Sequence, residues 1–236
     1  MAGMQTKGVR ELKYRAIFFD RDNTLLYGDP ALRAERNTRI EGWTGVPFSI
    51  KPEEMMELFF ASRPEGGVKS VEEEITAQRR YWRSLLLRCG ISQRLEERAE
   101  ELHRLTWLKG YRLYPETLEV LEWCCTHGLR MGVISDTSPS LPLTLEAAGI
   151  GGYFDCAICS DLVGVMKPDP LIYQAALDAL GVTAAESVYV DDYNVEADGA
   201  RAMGFTAFHI DRARPGDGRW RIQSLRDVVE FVQQYV

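Results

Sequence analysis

The chain has 236 residues, of which 45% are hydrophobic and 27% are charged, and its formal net charge is −7. These values are typical of a soluble globular protein, and the length suffices for one large domain or for a domain with a second one inserted into it. The negative charge argues against nucleic acid or an anionic membrane as the main partner, but it is compatible with a local basic pocket for an anionic substrate.

Two further features bear on where the protein is found. No apolar run approaches the length of a membrane span, and residues 1–15 lack the apolar segment of a secretory signal. The five cysteines are an odd number and are scattered, which indicates reduced thiols and not a disulfide framework. We therefore expect a cytoplasmic protein without a membrane partner. Both a monomer and a homodimer agree with the sequence.

The first predicted strand ends at two acids. Residues 14–20 form a continuous apolar run that predicts a buried parallel strand, and it ends at Asp20. Asp22 follows two residues later. Because buried carboxylates are costly unless they are paired or bound to a metal, their placement here indicates a functional site.

Residues 27–112 show helical patterns and no convincing strand. Pro52 is expected to begin one helix, Ser70 a second with a capping box, and Ser92 a third. Residues 63–70 are expected to form a flexible loop between the first two. The stretch is therefore predicted to be an all-helical insertion.

Helices and strands alternate from about residue 113 onward. The predicted strands cover 129–135, 154–160, 187–191 and 205–210, and the predicted helices cover 115–128, 139–149, 169–181, 194–204 and 224–235. This alternation predicts a parallel sheet with helices on both faces, and the first strand belongs to the same sheet. The fold class is therefore α/β, with a Rossmann-like core formed by residues 1–26 and 113–236 and the helical insertion formed by 27–112.

Polar side chains follow the ends of several predicted strands. In a parallel α/β sheet, ligands bind beyond the carboxyl ends of the strands. The residues at those positions are Asp20 and Asp22, Ser135 and Asp136, Lys167 shortly after the next strand, and Asp191 and Asp192. We expect these carboxylates, the hydroxyl and the lysine to converge at one edge of the sheet.

Cys156 and Cys159 form a C-x-x-C spacing within a predicted strand. Three-residue spacing on a strand sends the two thiols to opposite faces. No second pair of this kind and no nearby histidine completes a zinc site. We interpret both as core cysteines.

The ordered set of motifs resembles that of the haloacid dehalogenase-like hydrolases. The family's D-x-D-x-T is matched by the five residues from Asp20 to Thr24, its strand-closing Ser or Thr by Ser135, its Lys before a helix by Lys167, and its acidic pair by Asp191 and Asp192. The resemblance spans 14–26 and 113–210. It implies a hydrolase whose helical insertion is a cap over the site, with hinges near 26–30 and 108–114, where Gly28 and Gly110 suit that role.

The resemblance also implies roles for the matched residues. Asp20 would attack phosphorus and form an aspartyl-phosphate, while Asp22 would protonate the leaving oxygen and later take a proton from water. The phosphate of a small phosphorylated substrate would bind at Ser135, Asp136 and Lys167, and Mg²⁺ would bind at Asp20, Asp191 and the backbone carbonyl of Asp22.

Four positions depart from the usual family pattern. Asn23 stands where Gly is commonest, and Asn tolerates the left-handed conformation. Arg21 has no assigned role. Asp192 is interpreted either as a direct metal ligand or as a partner of one. Glu196 either orients a metal-bound water or Lys167, or is simply an acid in the first turn of a helix.

Asp22 decides between the candidate reactions. Cleavage of a phosphate ester needs a protonated leaving oxygen and cleavage of a carbon–halogen bond does not, so a phosphatase is favoured over a 2-haloacid dehalogenase. A phosphonatase would need a cap lysine, for which Lys51, Lys69 and Lys109 are candidates. A phosphomutase would need cap groups that hold a bisphosphorylated intermediate, and a non-catalytic phosphometabolite-binding module would not need the complete motif set.

Overall fold

The computed structural model describes residues 13–235, so the expectation that no secretory signal precedes them lies outside the described residues. The strands of this part are β1 (Ala16–Phe19), β2 (Leu26–Gly28), β3 (Tyr111–Leu113), β4 (Arg130–Ser135), β5 (Cys156–Cys159), β6 (Ser187–Asp191), β7 (Thr206–Ile210) and β8 (Arg221–Ile222). The α-helices are α1 (Pro30–Thr44), α2 (Pro52–Ala61), α3 (Val71–Arg88), α4 (Leu95–Thr106), α5 (Thr117–Thr126), α6 (Leu141–Ala147), α7 (Ser160–Val163), α8 (Pro170–Leu180), α9 (Asn194–Ala202) and α10 (Leu225–Val232).

Within the described residues, six strands form one parallel sheet in the order β5-β4-β1-β6-β7-β8. β1 lies inside this sheet, with Ile17 opposite Met131 on one side and Val188 on the other. All four residues of β1 are buried, which explains why a continuous apolar run encodes this strand and simple alternation does not. The predicted α/β class with a Rossmann-like parallel sheet is confirmed.

Helices cover both faces of the sheet because successive strand side chains point to opposite faces. Phe19 belongs to a hydrophobic cluster that includes Leu121 of α5 and Leu225 of α10. Phe18 belongs to a second cluster, which includes Tyr173 of α8. Burying a side chain such as Phe18 contributes about 1.5–3 kcal/mol, so the central strand is fixed from two directions.

Helices α1 to α4 share a hydrophobic cluster of their own. Ile40 of α1, Tyr81 and Leu85 of α3 and Leu102 of α4 are buried in it. Apolar residues at helical spacing on each of these segments encode this cluster. The helical segment therefore has a packing centre distinct from the two clusters on the sheet.

Two short strands join this helical segment to the rest of the chain, and the sequence patterns did not predict them. β2 pairs with β3 in antiparallel fashion, and the N–H of Asp29 donates to the carbonyl of Gly110 at 2.8 Å. The expected limits of the insertion, residues 27 and 112, fall inside these strands. Runs of three residues are too short to show a periodicity.

The predicted helix starts have different outcomes. Ser70 caps α3, since its hydroxyl accepts from the N–H of Glu73 at 3.2 Å, but the predicted capping box does not form, because the Glu73 carboxylate accepts from the N–H of Lys69 and not from that of Ser70. The prediction for Ser92 was wrong, because α4 begins at Leu95 after Arg94, whose φ of 51° lies in the left-handed region.

Residues 63–70 lie against the part of the chain that carries the sheet. Val68 is fully buried. The Lys69 ammonium donates to the backbone carbonyl of Asp161, which follows β5. The loop therefore makes specific contacts across the two parts of the molecule, which its Gly-rich sequence did not predict.

The side chains of Cys156 and Cys159 lie on opposite faces of the sheet, as predicted. Cys159 lies in the cluster with Phe19, and Cys156 packs against the cluster with Phe18. Both thiols are free. In residues 13–235, no helix combines the length and the apolar character that crossing a membrane requires.

Candidate active site

The predicted residues meet beyond the carboxyl ends of β1, β4 and β6. Asp20 directly follows β1, Ser135 ends β4 and Asp191 ends β6. Because β1 pairs with both other strands, these residues are brought to adjacent positions at one edge of the sheet. All three are buried, with exposures of 5%, 1% and 0%.

Lys167 lies at the centre of this group. Its Nζ is 2.8 Å from Asp20 Oδ1, 2.7 Å from Asp191 Oδ2 and 2.6 Å from Glu196 Oε2. The side chain is 2% exposed, so these are contacts in a water-poor environment. Glu196 also lies in the first turn of α9, so both interpretations agree with its position, and its role in orienting Lys167 stays a prediction.

The buried carboxylates outnumber the cation that they share. Burial raises the pKa of Asp20 well above its usual range, although Lys167 acts in the opposite direction, and the charge of Asp191 raises it further. Burial also raises the pKa of Glu196, to about 7. Burial alone would lower the pKa of Lys167, but the surrounding acids raise it well above its usual value. A further cation at this site would therefore stabilise the ionised form of these carboxylates.

Tyr189 was missed by the sequence reasoning. Its hydroxyl donates to Asp191 and lies 3.2 Å from Lys167 Nζ. The other oxygen of Asp191 accepts from the N–H of Tyr193 at 2.8 Å, so this carboxylate is held at both ends. A signal was present, because residues two apart on a strand share a face and Tyr189 precedes Asp191 by two.

Asp136 contacts the lysine segment. Its Oδ1 accepts from the backbone N–H of Lys167 at 3.0 Å, and burial raises the pKa of this carboxyl. The side chain therefore links the end of β4 to the segment before α8. This position suits a residue that orients Lys167, and any contact of Asp136 with a substrate phosphate remains a prediction.

Asp22 is the more accessible of the two acids after β1, with 42% of its side chain exposed. It is held by Arg21, whose Nη2 donates to Asp22 Oδ2 at 2.7 Å and whose Nε donates to the same carboxylate. The Arg21 guanidinium lies 4.8 Å from the ring centre of Tyr111 and donates to its hydroxyl at 3.2 Å. Arg21 therefore fixes Asp22 against β3, which gives the unassigned arginine a positioning role.

Asn23 and Asp192 are joined beside the site. Asn23 has a φ of 55°, in the left-handed region that Asn tolerates, as predicted. Its side-chain amide donates to Asp192 Oδ2 at 3.1 Å. Asp192 is thereby tied to the loop after β1. A direct metal contact of Asp192 remains a prediction.

The donor set agrees with a hard divalent cation. Mg²⁺ binds through one or two carboxylates, with water and phosphate oxygens completing its shell. Within residues 13–235, no three acidic, histidine or cysteine side chains form a metal cage by themselves. The buried pair Asp20 and Asp191, with one shared lysine, still leaves an excess of negative charge that a divalent cation would offset.

A cavity of about 1240 Å³ opens beside these residues, between the sheet edge and helices α1 to α3. Asp22 and Asp136 line it on the side of the sheet, and Phe48, Met55 and Phe59 line it on the helical side. The cavity is large enough for a small molecule with an apolar part.

Two contacts join the helical segment to the sheet-bearing part at the edge of this cavity. Arg63 donates to Ser138 Oγ at 2.8 Å and forms an ion pair with Asp161. Glu74 of α3 accepts from the backbone N–H of Ser140 at 2.8 Å and from its hydroxyl at 2.7 Å. Sequence patterns gave no indication of either contact, because each joins residues more than 60 positions apart.

Comparison with known proteins gives consistent matches. The family model described as haloacid dehalogenase-like hydrolase matches residues 14–204. A phosphatase of Mycobacterium tuberculosis is 33% identical over 131 residues, which cover 55% of this chain and 58% of the relative. The phosphoserine phosphatase of Thermus thermophilus is 35% identical over 147 residues, covering 59% and 58%. The chain thus spans little more than half the length of these curated relatives.

A solved structure adds evidence on the fold. A 2-haloacid dehalogenase from Pseudomonas syringae is 22% identical and covers 94% of this chain and 100% of its own, with a TM-score of 0.66. At this identity the likeness concerns the fold alone. The two phosphatases are therefore similar to this chain in sequence, and the dehalogenase is similar to it in fold.

Proposed function

Because the chain belongs to the haloacid dehalogenase-like hydrolases, we propose that it is a Mg²⁺-dependent phosphatase that hydrolyses a small phosphate monoester. The arrangement of Asp20 and Asp22 supports this most directly. Asp20 is buried against Lys167, whereas Asp22, two residues later, is accessible from the cavity. A buried nucleophile beside an accessible acid suits displacement of an alkoxide from phosphorus.

In the first step, a carboxylate oxygen of Asp20 attacks phosphorus. The phosphorus–oxygen bond to the substrate alcohol breaks, and Asp22 gives its proton to that oxygen. The product alcohol leaves, and the phosphoryl group remains on Asp20. Arg21 holds the Asp22 carboxyl at the cavity wall, which keeps it near the leaving oxygen.

In the second step, water attacks the same phosphorus and the aspartyl-phosphate is hydrolysed. Asp22, now ionised, takes the proton from that water, and the Asp20 carboxylate is regenerated. The Ser135 hydroxyl and the Lys167 ammonium hold phosphoryl oxygens and offset their charge. Glu196, Asp191 and Asp136 keep Lys167 in place through the contacts described above.

Mg²⁺ would be held by Asp20, Asp191 and the backbone carbonyl of Asp22. When bound, it offsets the negative charge of both the carboxylates and the phosphate. The raised pKa of Asp20 agrees with this requirement, because a buried carboxylate needs nearby positive charge to remain ionised and nucleophilic. Glu196 would orient Lys167, and Asp192 would hold the loop after β1 through its hydrogen bond with Asn23.

The segment 27–112 would act as a cap that opens for substrate and closes to exclude water. The β2 and β3 strands form the connection on which it would turn, and Gly28 and Gly110 lie at the ends of this ribbon. The contacts of Arg63 and Glu74 with the loops after β4 and β5 would hold the closed form.

The alternatives receive less support from the site. A phosphonatase would use a cap lysine, but within the described residues the cavity lining contains no lysine, and the Lys69 ammonium is held by the backbone carbonyl of Asp161. A 2-haloacid dehalogenase needs no leaving-group acid such as Asp22. A phosphomutase would also have to shield the aspartyl-phosphate from water, and no contact among the described residues assigns a cap group to that role.

Phosphate release from a panel of small phosphate esters tests the proposal. We expect turnover with Mg²⁺, none with EDTA, and a loss of roughly 10⁴-fold or more in Asp20→Asn, because the nucleophile is removed. Asp178→Asn, a change at an exposed carboxylate of α8, is the matched control and should retain full activity. Folded, Mg²⁺-loaded protein that releases phosphate from no ester would contradict the proposal.

A further inference from the structure

Most charged side chains that line the cavity have a partner nearby. Arg21 pairs with Asp22, and Arg63 pairs with Asp161. Glu74 accepts from Ser140. These groups already compensate one another, and none of them needs a ligand of opposite charge.

Arg33 and Arg36 differ from the others. They lie three residues apart on α1, so they share one helix face, and both line the cavity. Arg39, one turn further on, pairs with Glu35 and Glu101. Within residues 13–235, no carboxylate lies within ion-pair distance of Arg33 or Arg36. The cavity wall thus carries two positive charges that the protein leaves uncompensated.

The surroundings hold Arg36 in place without neutralising it. Its Nε and Nη2 donate to the side-chain oxygen of Asn37 at 3.0 and 2.7 Å, and its guanidinium lies 5.4 Å from the ring centre of Phe48. Burial lowers the pKa of Arg36, and the like charge of Arg33 lowers it further. The Arg36 guanidinium is half-buried, so an anion beside it would offset the cost of removing its charge from water, and the more exposed Arg33 lies on the same helix face to contact that anion.

We infer that Arg33 and Arg36 form a second anion-binding site, which receives a carboxylate or a second phosphate at the end of the substrate remote from the scissile bond. The inference rests on the proposed function, since it assigns the first phosphate to the side of Asp20. Phe48, Met55 and Phe59 would contact the apolar part of the molecule between its two charged ends. The substrate class is therefore a phosphate monoester that carries another anionic group.

Binding of non-hydrolysable phosphonates tests the site without requiring turnover. Calorimetry with Mg²⁺ present would compare three ligands of equal chain length: an alkylphosphonate, the corresponding ω-phosphonocarboxylate and the bisphosphonate. Wild type should bind at least one doubly anionic ligand about 10- to 100-fold more tightly than the alkylphosphonate, because charge-assisted hydrogen bonds are gained. Preference for the carboxylate or for the bisphosphonate identifies the second group.

Substitutions then locate the preference. In the double variant Arg33→Gln/Arg36→Gln the ratio of affinities should fall to about one, while affinity for the alkylphosphonate stays unchanged. Arg80→Gln, at an exposed arginine of α3 outside the cavity, should retain the wild-type ratio. Arg36→Lys should retain part of the preference for the doubly anionic ligand over the alkylphosphonate. Equal affinities in wild type, or a ratio that the double variant leaves intact, would overturn the inference.

Hydrolysis of the matching esters separates this inference from the proposed function. If the doubly anionic phosphonates bind selectively and the corresponding esters are not hydrolysed, the phosphatase proposal fails and the anion site stands. If the esters are hydrolysed without any preference for a second anionic group, the phosphatase proposal stands and the anion site fails.

Discussion

The sheet edge beside the cavity and the helical wall of the cavity differ in how their charges are compensated. On the side of the sheet, Lys167 contacts three carboxylates at 2.6–2.8 Å. On the helical side, Arg33 and Arg36 have no carboxylate within ion-pair distance among the described residues. Charges that restrain one another hold a fixed geometry before a ligand arrives, which is what bond cleavage requires. Charges without a partner gain most from a ligand, which is what recognition requires.

Removing Lys167 would break the compensation on the sheet side most severely. Lys167→Met leaves buried carboxylates without their cation, so we expect the free energy of unfolding to fall by about 3–5 kcal/mol and phosphate release to be abolished. Urea unfolding should show the loss in EDTA and a partial recovery with Mg²⁺, because a bound cation replaces part of the missing charge.

Lys51→Met is the control for this experiment, since Lys51 is exposed and lies outside the cluster. Its stability and its response to Mg²⁺ should match those of wild type. If Lys167→Met were as stable as wild type in EDTA, the carboxylates would not depend on the lysine, and the contrast between the sheet edge and the helical wall would be lost.

Asp22→Asn sharpens the contrast by removing the acid and keeping its size. Because the role proposed for Asp22 is to protonate the leaving oxygen, we expect kcat/KM to fall by about 10²–10⁴-fold for alkyl phosphates. Aryl phosphates, whose leaving groups need little protonation, should lose about tenfold or less. Steady-state kinetics on one ester of each type measures the difference. An equal loss for both would assign Asp22 a role in binding or folding and not in proton transfer.

Glu74→Gln tests a contact between the walls and should have the smallest effect. Burial raises the pKa of Glu74 above 4.5, so the folded protein binds the proton more tightly than the unfolded chain. Its contribution to stability therefore falls as pH rises from about 4.5 through the raised pKa. Urea unfolding across this range should show a flatter pH dependence in Glu74→Gln, with a change of about 1 kcal/mol or less.

Glu53→Gln, at an exposed acid in the first turn of α2, is the control for the pH series. It should reproduce the wild-type pH dependence. A Glu74→Gln variant whose stability falls with pH as steeply as wild type would show that other groups set this slope.

The edge of the sheet was predictable because short patterns encode it. A continuous apolar run followed by an acid specifies a buried strand and the residue beyond its end, so Asp20, Ser135 and Asp191 could be placed from local sequence alone. The same reasoning could have placed Tyr189, because side chains two residues apart on a strand point to the same face and Tyr189 lies two residues before Asp191. The left-handed backbone conformation of Asn23 could be anticipated because Asn, unlike most residues, tolerates it.

The helical side was less predictable for physical reasons. Contacts such as Arg63 with Asp161 depend on how two separately packed parts meet, and no local periodicity records that. The start of α4 was misplaced because Ser92 is a good cap by residue type, whereas the chain turns at Arg94 with a positive φ. The pairing of β2 with β3 joins residues more than 80 positions apart and leaves no local pattern.

The pairing of β2 with β3 allows the helical segment to be exchanged without altering the sheet-bearing part. The chain leaves and re-enters the sheet-bearing part through two neighbouring strands, which lie about 4.8 Å apart in such a pair. A tight turn can close that gap. Every residue assigned to bond cleavage lies outside the segment between the strands. We therefore expect that this segment of four helices can be excised, or exchanged for another set of helices, while the reactive groups keep their places.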